Sequence, residues 1–350
     1  ITCLVVAFWQ NNKYQQERDW GYNQEHIINV RVASGNQLEV FENAVVQNPN
    51  FLSTAGSVHP IGRSEQQALI EVAAKKHEVL RMDVGANYLE TLGIRLEAGR
   101  FFDPELSTDL DAAIVVNSRF VSEMGWQNPL QETVRFGNTI YQVVGVTEDF
   151  HYDDFFEEIR PLFFRLTPEE SLKYLSVRVR AGTGVRSAEE LEKIWRSLFP
   201  DSPYNAFFQD SVFDNAFRNN DTIMKIFAAL AAITLIISCM GLFGLVTLMI
   251  SKRMKELSIR KVLGASMSQI AHLVSRRIFI LLTLSLLPAI PGSYIFLTQL
   301  LDGIYRYHMT IGASPFLLAG AVVVLTALAT IASQVYRAAV RNPVGALRCE

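Results

Sequence analysis

Acidic residues are scarce in the last third of this chain. Residues 222–350 hold 3 Asp+Glu against 12 Lys+Arg, a net of +9, whereas residues 11–221 hold 32 Asp+Glu against 20 Lys+Arg, a net of −12. The whole-chain charge of −3 conceals that division. An acidic half joined to a basic, apolar half argues against a uniformly soluble globule and suits a membrane protein whose two parts meet different surroundings. Charge of either sign is missing from 226–250, 278–301 and 309–336, runs of 25, 24 and 28 residues. About 20 helical residues cross ~30 Å of hydrocarbon, so each run is long enough to span. A helix buried in a soluble core is usually shorter than ~20 residues and keeps a polar stripe.

Cysteine is nearly absent too. Cys3 and Cys239 lie in apolar runs and Cys349 is next to last, so no disulfide framework supports the large polar region. That is compatible with a periplasm. Catalytic signatures are lacking as well. No Walker phosphate loop is present, which excludes an ATP site made by this chain alone. "KKHEVLR" offers His77 and Glu78, but Arg81 stands where a zinc-protease helix needs its second His. No Gly-x-Ser-x-Gly elbow occurs. "EDFHYDD" gathers Asp149, His151, Asp153 and Asp154, yet one histidine among clustered acids more often makes turns and caps than a metal site. The reading is no catalytic residue, no metal and no nucleic-acid partner.

What is present begins with "ITCLVVAFW", nine apolar residues closed by Trp9 and Tyr14, residue types of the interfacial belt. It is too short to span and reads as the trailing end of a truncated transmembrane helix, residues 1–10, in preference to the remnant of a signal segment. The linker 251–277 carries Lys252, Arg253, Lys255, Arg260, Lys261, Arg276 and Arg277 against Glu256, and the tail after Tyr336 carries Arg337, Arg341 and Arg348. The excess of positive charge places both in the cytoplasm and residues 11–221 outside. Within the linker, Glu256 precedes Arg260 by four residues, the favourable order for a helical ion pair. Ile259, Val262 and Leu263 share an apolar face, Gly264 is a good stop, and Ser266 with Gln269 reads as a capping box. A short amphipathic helix of this kind serves as a topogenic loop, lies on anionic lipid, or docks in a partner's groove.

"KELSIRKVLGAS", together with the terminal "NPVGALRCE", resembles the FtsX-like permeases, specifically the MacB-type ABC transporter permeases. "YLETLGIRLEAGRFFD", "AAIVVNSRFVSEMGWQNPL" and "YQVVGVTEDFHYDDFFEEIRP" resemble the periplasmic core of that family, in the same order. Two departures stand out: Ser258 where the family usually has Gly, and Gln131 after "NPL" where Gly is usual. The resemblance implies that Arg253, Lys255, Glu256, Ile259, Arg260, Lys261, Val262, Leu263 and Gly264 form a coupling helix that binds a cytoplasmic ATPase. It also implies that ATP and Mg lie on that partner and that no cofactor is bound by this chain.

Outside the membrane, two stretches read alike. One begins at Ile28 and the other at Leu175, and each gives a strand around Val-Arg-Val, a turn, an amphipathic helix and an aromatic strand. Leu38, Phe41 and Val45 form one apolar face; Leu191, Ile194, Trp195 and Leu198 form the other. They predict a discontinuous α/β subdomain, porter-like by the resemblance, over about 24–60 and 170–210. A strand-rich subdomain is inserted at about 60–168, with a helix at 118–125 capped by Asn117. From Asp210 the sequence runs without Pro or Gly into the first span, with Phe213, Phe217 and Ile223 at helical spacing, a stalk able to transmit motion. Ser238, Gly241 and Gly244 favour close helix packing, and Pro288 with Pro291-Gly292 should kink the following span.

The expected architecture is an α-helical membrane protein with a large α/β extracytoplasmic domain and a four-span FtsX-like topology whose first span is truncated. Residues 11–221 form the periplasmic core domain, and 222–350 the permease domain with spans about 226–250, 278–301 and 313–336. The expected function is a non-catalytic permease subunit in a bacterial inner membrane, the C-terminal half of a longer two-repeat permease. It would move a hydrophobic or peptide-like substrate. Expected partners are the ATPase, a second permease half or a homodimer partner, membrane lipid and a periplasmic adaptor. The rival is a membrane-anchored sensor or regulator, such as an FtsX-like activator of a cell-wall hydrolase.

Overall fold

The computed structural model describes residues 1–64, 66–153, 155–252, 259 and 267–340. The chain divides into two compact units: Arg18–Phe217, and Ile1–Glu17 together with the chain from Arg218 onward.

Helix α1 (Thr2–Glu17) precedes the outer unit. That unit opens with β1 (Ile27–Arg31), α2 (Gly35–Val46) and β2 (Phe51–Ser57). Ser34 accepts from the Gln37 N–H while Gln37 Oε1 accepts from the Ala33 N–H, at 3.3 and 2.7 Å. This reciprocal cap satisfies donors that the first turn of α2 would leave unpaired. There follow β3 (Gln66–Val72), β4 (Lys75–Val84), α3 (Tyr88–Leu92), β5 (Leu96–Gly99), α4 (Ser107–Ala112), β6 (Ala113–Asn117), α5 (Ser118–Met124), β7 (Thr133–Phe136), β8 (Thr139–Thr147) and β9 (Leu162–Leu166). The chain then returns through β10 (Tyr174–Val179), α6 (Gly184–Leu198) and β11 (Ala206–Phe208).

The first and last parts of the unit share one antiparallel sheet, in the order β11-β1-β10-β2. Leu38, Phe41 and Val45 of α2 and Leu191 and Trp195 of α6 are buried on it with Ile28, Val30, Leu175 and Val177. The Phe41 and Trp195 rings meet edge to face at 5.2 Å. Leu198 departs from the expected apolar face: it is 37% exposed, at the last residue of α6. The helix ends at Leu198, and Trp195 Nε1 donates to the Ser202 carbonyl at 3.1 Å in the turn that follows.

The inserted strands do more than form a sheet. The path β4-β3-β7-β8-β6-β9 closes, because β9 also pairs with β4 in parallel, Leu80↔Leu162 through Val84↔Leu166. Closure removes free sheet edges. The interior holds Ala68, Ile70, Val79, Ile114, Val116, Val134, Tyr141, Val143 and Phe163, the alternate residues of their strands. On the closing pair Asp83 faces Arg165 in register; it is nearly buried and bonded to Arg165 Nε at 2.9 Å. "KKHEVLR", compared above with a zinc helix, is the first part of β4, where His77 pairs with Ile70 across the ladder. The two sheets join through a single residue pair of β2 and β4, Ser57↔Val84.

Asn117 stands at the junction of β6, α5 and β9. Its side-chain oxygen accepts from Phe120 N–H at 3.0 Å and Leu162 N–H at 2.9 Å, and its amide donates to the Arg160 carbonyl at 3.1 Å. The residue is fully buried. Asn117→Ala removes a helix cap and also strands two backbone groups of the β9 entry, so it should cost about 3 kcal/mol. In a domain of this size that lowers the thermal midpoint by about 6–12 °C. Tryptophan fluorescence of the whole chain on heating reads this out, and a shift under about 2 °C would show that the junction is held by other contacts.

The apolar runs of the other unit are carried by α7 (Asp214–Lys252), from Arg218 onward, by α8 (Met267–Ile304) and by α9 (Ser314–Val340). Among the described residues three segments are long and apolar enough to cross a membrane: Asn220–Lys252, Ile280–Ile304 and Ser314–Gln334. Residues 309–313 of the third uncharged run precede α9. Pro288 and Pro291 lie inside α8, which continues through both. Large apolar side chains such as Ile233, Ile237, Leu284, Leu287 and Leu325 are exposed, as a lipid-facing surface requires. Leu4, Ala7 and Phe8 of α1 pack with Leu297, Leu301 and Tyr305, so α1 joins the bundle.

Candidate functional site

Of the coupling residues named from sequence, Arg253, Lys255, Glu256, Arg260, Lys261, Val262, Leu263 and Gly264 lie outside the described residues. Ile259 is helical and 53% exposed.

The described site is the root of α7 in the outer unit. The chain approaches α7 through a 3-10 turn, Asp210–Phe213, so the α-helix begins four residues later than the sequence suggested. Phe213 is buried, with its ring stacked on Trp20 at 4.7 Å. Trp20 in turn meets Phe155 edge-on at 4.7 Å and His151 at 6.1 Å, and its carbonyl accepts the His151 N–H at 2.8 Å. The two segments that link the outer unit to the rest of the chain, 18–22 and 210–217, are thus clamped to it by one aromatic cluster.

His151, the centre of the "EDFHYDD" stretch, is buried in that cluster; burial, with the Arg18 charge adding to it, holds its imidazole down to about 4. At neutral pH it packs as an uncharged ring. Asp149 accepts the Arg119 N–H at 2.8 Å at the start of α5, and burial pushes its carboxyl up. Among the described residues no three His, Cys, Asp or Glu side chains come together as a metal site; Asp154 lies outside them.

Beneath the aromatic cluster lies a buried polar relay that the sequence reading missed. Gln209, fully buried, donates to the Ile61 carbonyl at 3.0 Å and accepts from Asn29 Nδ2 at 2.8 Å. Asn29 then accepts from Ser176 Oγ at 2.6 Å. The relay ties β10 and β1 to the residue just before the 3-10 turn. Gly62 makes the approach possible: its φ is +78°, and a Cβ there would meet Phe213 and Val212 at 2.6 and 2.7 Å. Polar residues inside strands gave the available signal, Asn29 within "IINVR" above all, since a buried amide needs partners.

Further along, Ile223 of α7 is 43% exposed. The backbone of Phe217 lies in α7. Ser238, Gly241 and Gly244 are exposed, and a Cβ on either glycine would meet nothing within 4 Å among the described residues. A second missed feature is the polar end of α1. Asn11 Oδ1 accepts the Met309 N–H at 3.0 Å, and Asn12 donates to Asp221 at 3.1 Å. Tyr305 OH donates to the buried Asn220 at 3.2 Å. These bonds fasten the connection before α9 to α1 and α7 within the bundle.

Residues 4–194 match the family described as MacB-like periplasmic core domain, and residues 228–343 match FtsX-like permease C-terminal. Curated relatives include the macrolide export ATP-binding/permease protein MacB of Aggregatibacter actinomycetemcomitans, 20% identical over 281 residues, which are 76% of this chain and 44% of the relative. MacB of Burkholderia cenocepacia (strain HI2424) is 26% identical over 199 residues, 53% of this chain and 29% of the relative. The chain spans less than half the length of these relatives. Among solved structures, the periplasmic region of MacB from Actinobacillus actinomycetemcomitans aligns with a TM-score of 0.42 at 14% identity, over 57% of this chain and 96% of that one. The extracellular domain of the noncanonic ABC-type transporter YknZ from Gram-positive bacteria gives 0.38 at 12% identity, over 52% and 99%.

Proposed function

The chain belongs to the family that joins a MacB-like periplasmic core domain to an FtsX-like permease domain, and from that premise we propose that it turns ATP hydrolysis by a separate cytoplasmic ATPase into motion of its outer domain. It is an inner-membrane permease component with its α/β domain on the periplasmic side. ATP and Mg2+ would be bound by the ATPase, and this chain would act without catalytic groups of its own. The motion would serve export or extraction of a hydrophobic or peptide-like substrate, with α1 as the end of a fourth span. A second permease half, or a second copy, would cover the small-residue face at Ser238, Gly241 and Gly244.

The observation that supports this most is α7. Its 39 residues from Asp214 to Lys252 form one helix, about 58 Å at 1.5 Å per residue, roughly twice what crossing the hydrocarbon needs. A single element thus begins at the clamped root and ends at the basic loop. The test lies in that loop. Apolar contact should carry the affinity for the ATPase at Ile259, Val262 and Leu263, while Arg253, Lys255, Arg260 and Lys261 meet acids at the rim. Val262→Asp should abolish co-purification of the ATPase and leave the folded permease intact. A complex that survives the change unaltered overturns the docking assignment.

A further inference from the structure

The seam between the two sheets of the outer unit holds a pocket of about 320 Å³ that is open to solvent on one side. Cavities of that size lie at the lower end of the range that holds small ligands. Its lining runs past the one position where β2 and β4 pair, Ser57↔Val84. Gly56 and Gly85 line the cavity at this point, with the Gly85 N–H bonded to the Gly56 carbonyl at 2.9 Å. A Cβ on Gly56 would run into Leu172, so backbone itself forms part of the wall.

The lining has two chemical characters. Leu38, Leu166 and Leu172 are buried and present apolar walls. Glu42 and Glu169 also line it, and the lining includes no Lys, Arg or His. Glu42 accepts a hydrogen bond from Thr54 Oγ1 at 2.7 Å, and among the described residues it makes no ion pair. A half-buried carboxylate against apolar walls, without a cation, is an unfavourable arrangement that a positively charged guest would relieve. Burial, with the Glu169 charge adding to it, pushes the Glu42 carboxyl above its ordinary value.

We propose that this cavity binds a small organic cation, a protonated amine carried on an apolar body, with Glu42 as its counter-charge and Leu38, Leu166 and Leu172 against the body. The guest would touch both sheets at the position where one residue pair joins them. Its binding would therefore resist any movement of one sheet against the other. The inference needs only the outer unit and stands apart from the coupling to an ATPase.

The test uses the full chain in lipid nanodiscs, with Cys3, Cys239 and Cys349 replaced by Ser and a trifluoromethyl tag on Asn87→Cys at the cavity lining. The probes are 4-phenylbutylamine and its uncharged isostere 4-phenylbutan-1-ol, titrated while the fluorine resonance is followed. The amine should shift the resonance saturably and bind at least about tenfold more tightly than the alcohol, the factor expected for one charge-assisted hydrogen bond. Glu42→Gln should erase that preference without lowering the thermal midpoint, because it removes a half-buried charge while keeping the side chain's shape and an oxygen to accept from Thr54. Ala86→Phe, which fills the cavity, should abolish the shift for both probes. Equal affinity for amine and alcohol, an amine preference that survives Glu42→Gln, or a shift that survives Ala86→Phe each overturns the assignment.

Discussion

Under the proposed coupling to an ATPase, Asn219→Pro should reduce transport to background while ATP hydrolysis and co-purification of that ATPase persist. Asn219 is the sixth residue of α7, beyond the first turn in which proline is tolerated. In this position proline deletes the N–H that bonds the Asn215 carbonyl and drives its ring into that carbonyl, at a cost of about 3 kcal/mol or more. A helix transmits displacement only while its hydrogen-bond ladder is continuous, so the break should uncouple the outer domain from the membrane helices. The outer domain keeps its fold, because its core residues lie upstream of α7. The control is Asn219→Gly, which keeps the N–H and costs about 1 kcal/mol, and which should retain most transport. A proline variant with full transport and a demonstrably kinked α7 would mean that the outer domain is not driven through this helix.

Loss of the Trp20 ring should be among the most destabilising single changes in the outer domain. Trp20 is 6% exposed and contacts Phe213, Phe155 and His151 together. Trp20→Ala removes a large buried ring and leaves a cavity that cannot collapse without moving Phe213, at about 3–5 kcal/mol. The thermal midpoint should fall by about 6–20 °C. Trp20→Phe keeps a ring to stack on Phe213 and should restore more than half of that loss. Circular dichroism of the purified chain on heating measures both variants. Loss of less than about 1 kcal/mol in Trp20→Ala would mean that the root of α7 is anchored elsewhere, with the Gln209 relay as the remaining anchor.

The basic linker and the α7 root differ in how far sequence reaches them. The coupling role of the linker rests on a resemblance and a local amphipathic pattern, and all of its named residues but Ile259 lie outside the described residues. The root was half legible. Phe213 stood out by spacing, but its partners Trp20, Phe155 and His151 are 193, 58 and 62 residues away in sequence, and no local pattern announces such a meeting. His151 was weighed as a metal ligand for its acidic neighbours, whereas its burial among rings makes it a neutral packing residue. Leu198 shows the limit of periodicity itself: the spacing put it on the buried face of α6, and at the last residue of the helix it is exposed.

By itself the sequence determined what is written at short range. The uncharged runs that require a membrane, the buried faces of α2 and α6, the Asn117 cap and the charge division are all set within a few turns or strands, by hydrophobic period and by which side chain can satisfy which nearby backbone group. The tertiary structure alone decided the rest: closure of the six-stranded ring through β4 and β9, the polar grip of α1 on the connection before α9, the Gln209 relay and the cavity at the seam. These depend on pairs of groups that are far apart along the chain. A strand's alternation says which face is buried but not which strand lies beside it, and a buried amide says that a partner exists but not where in the chain it comes from.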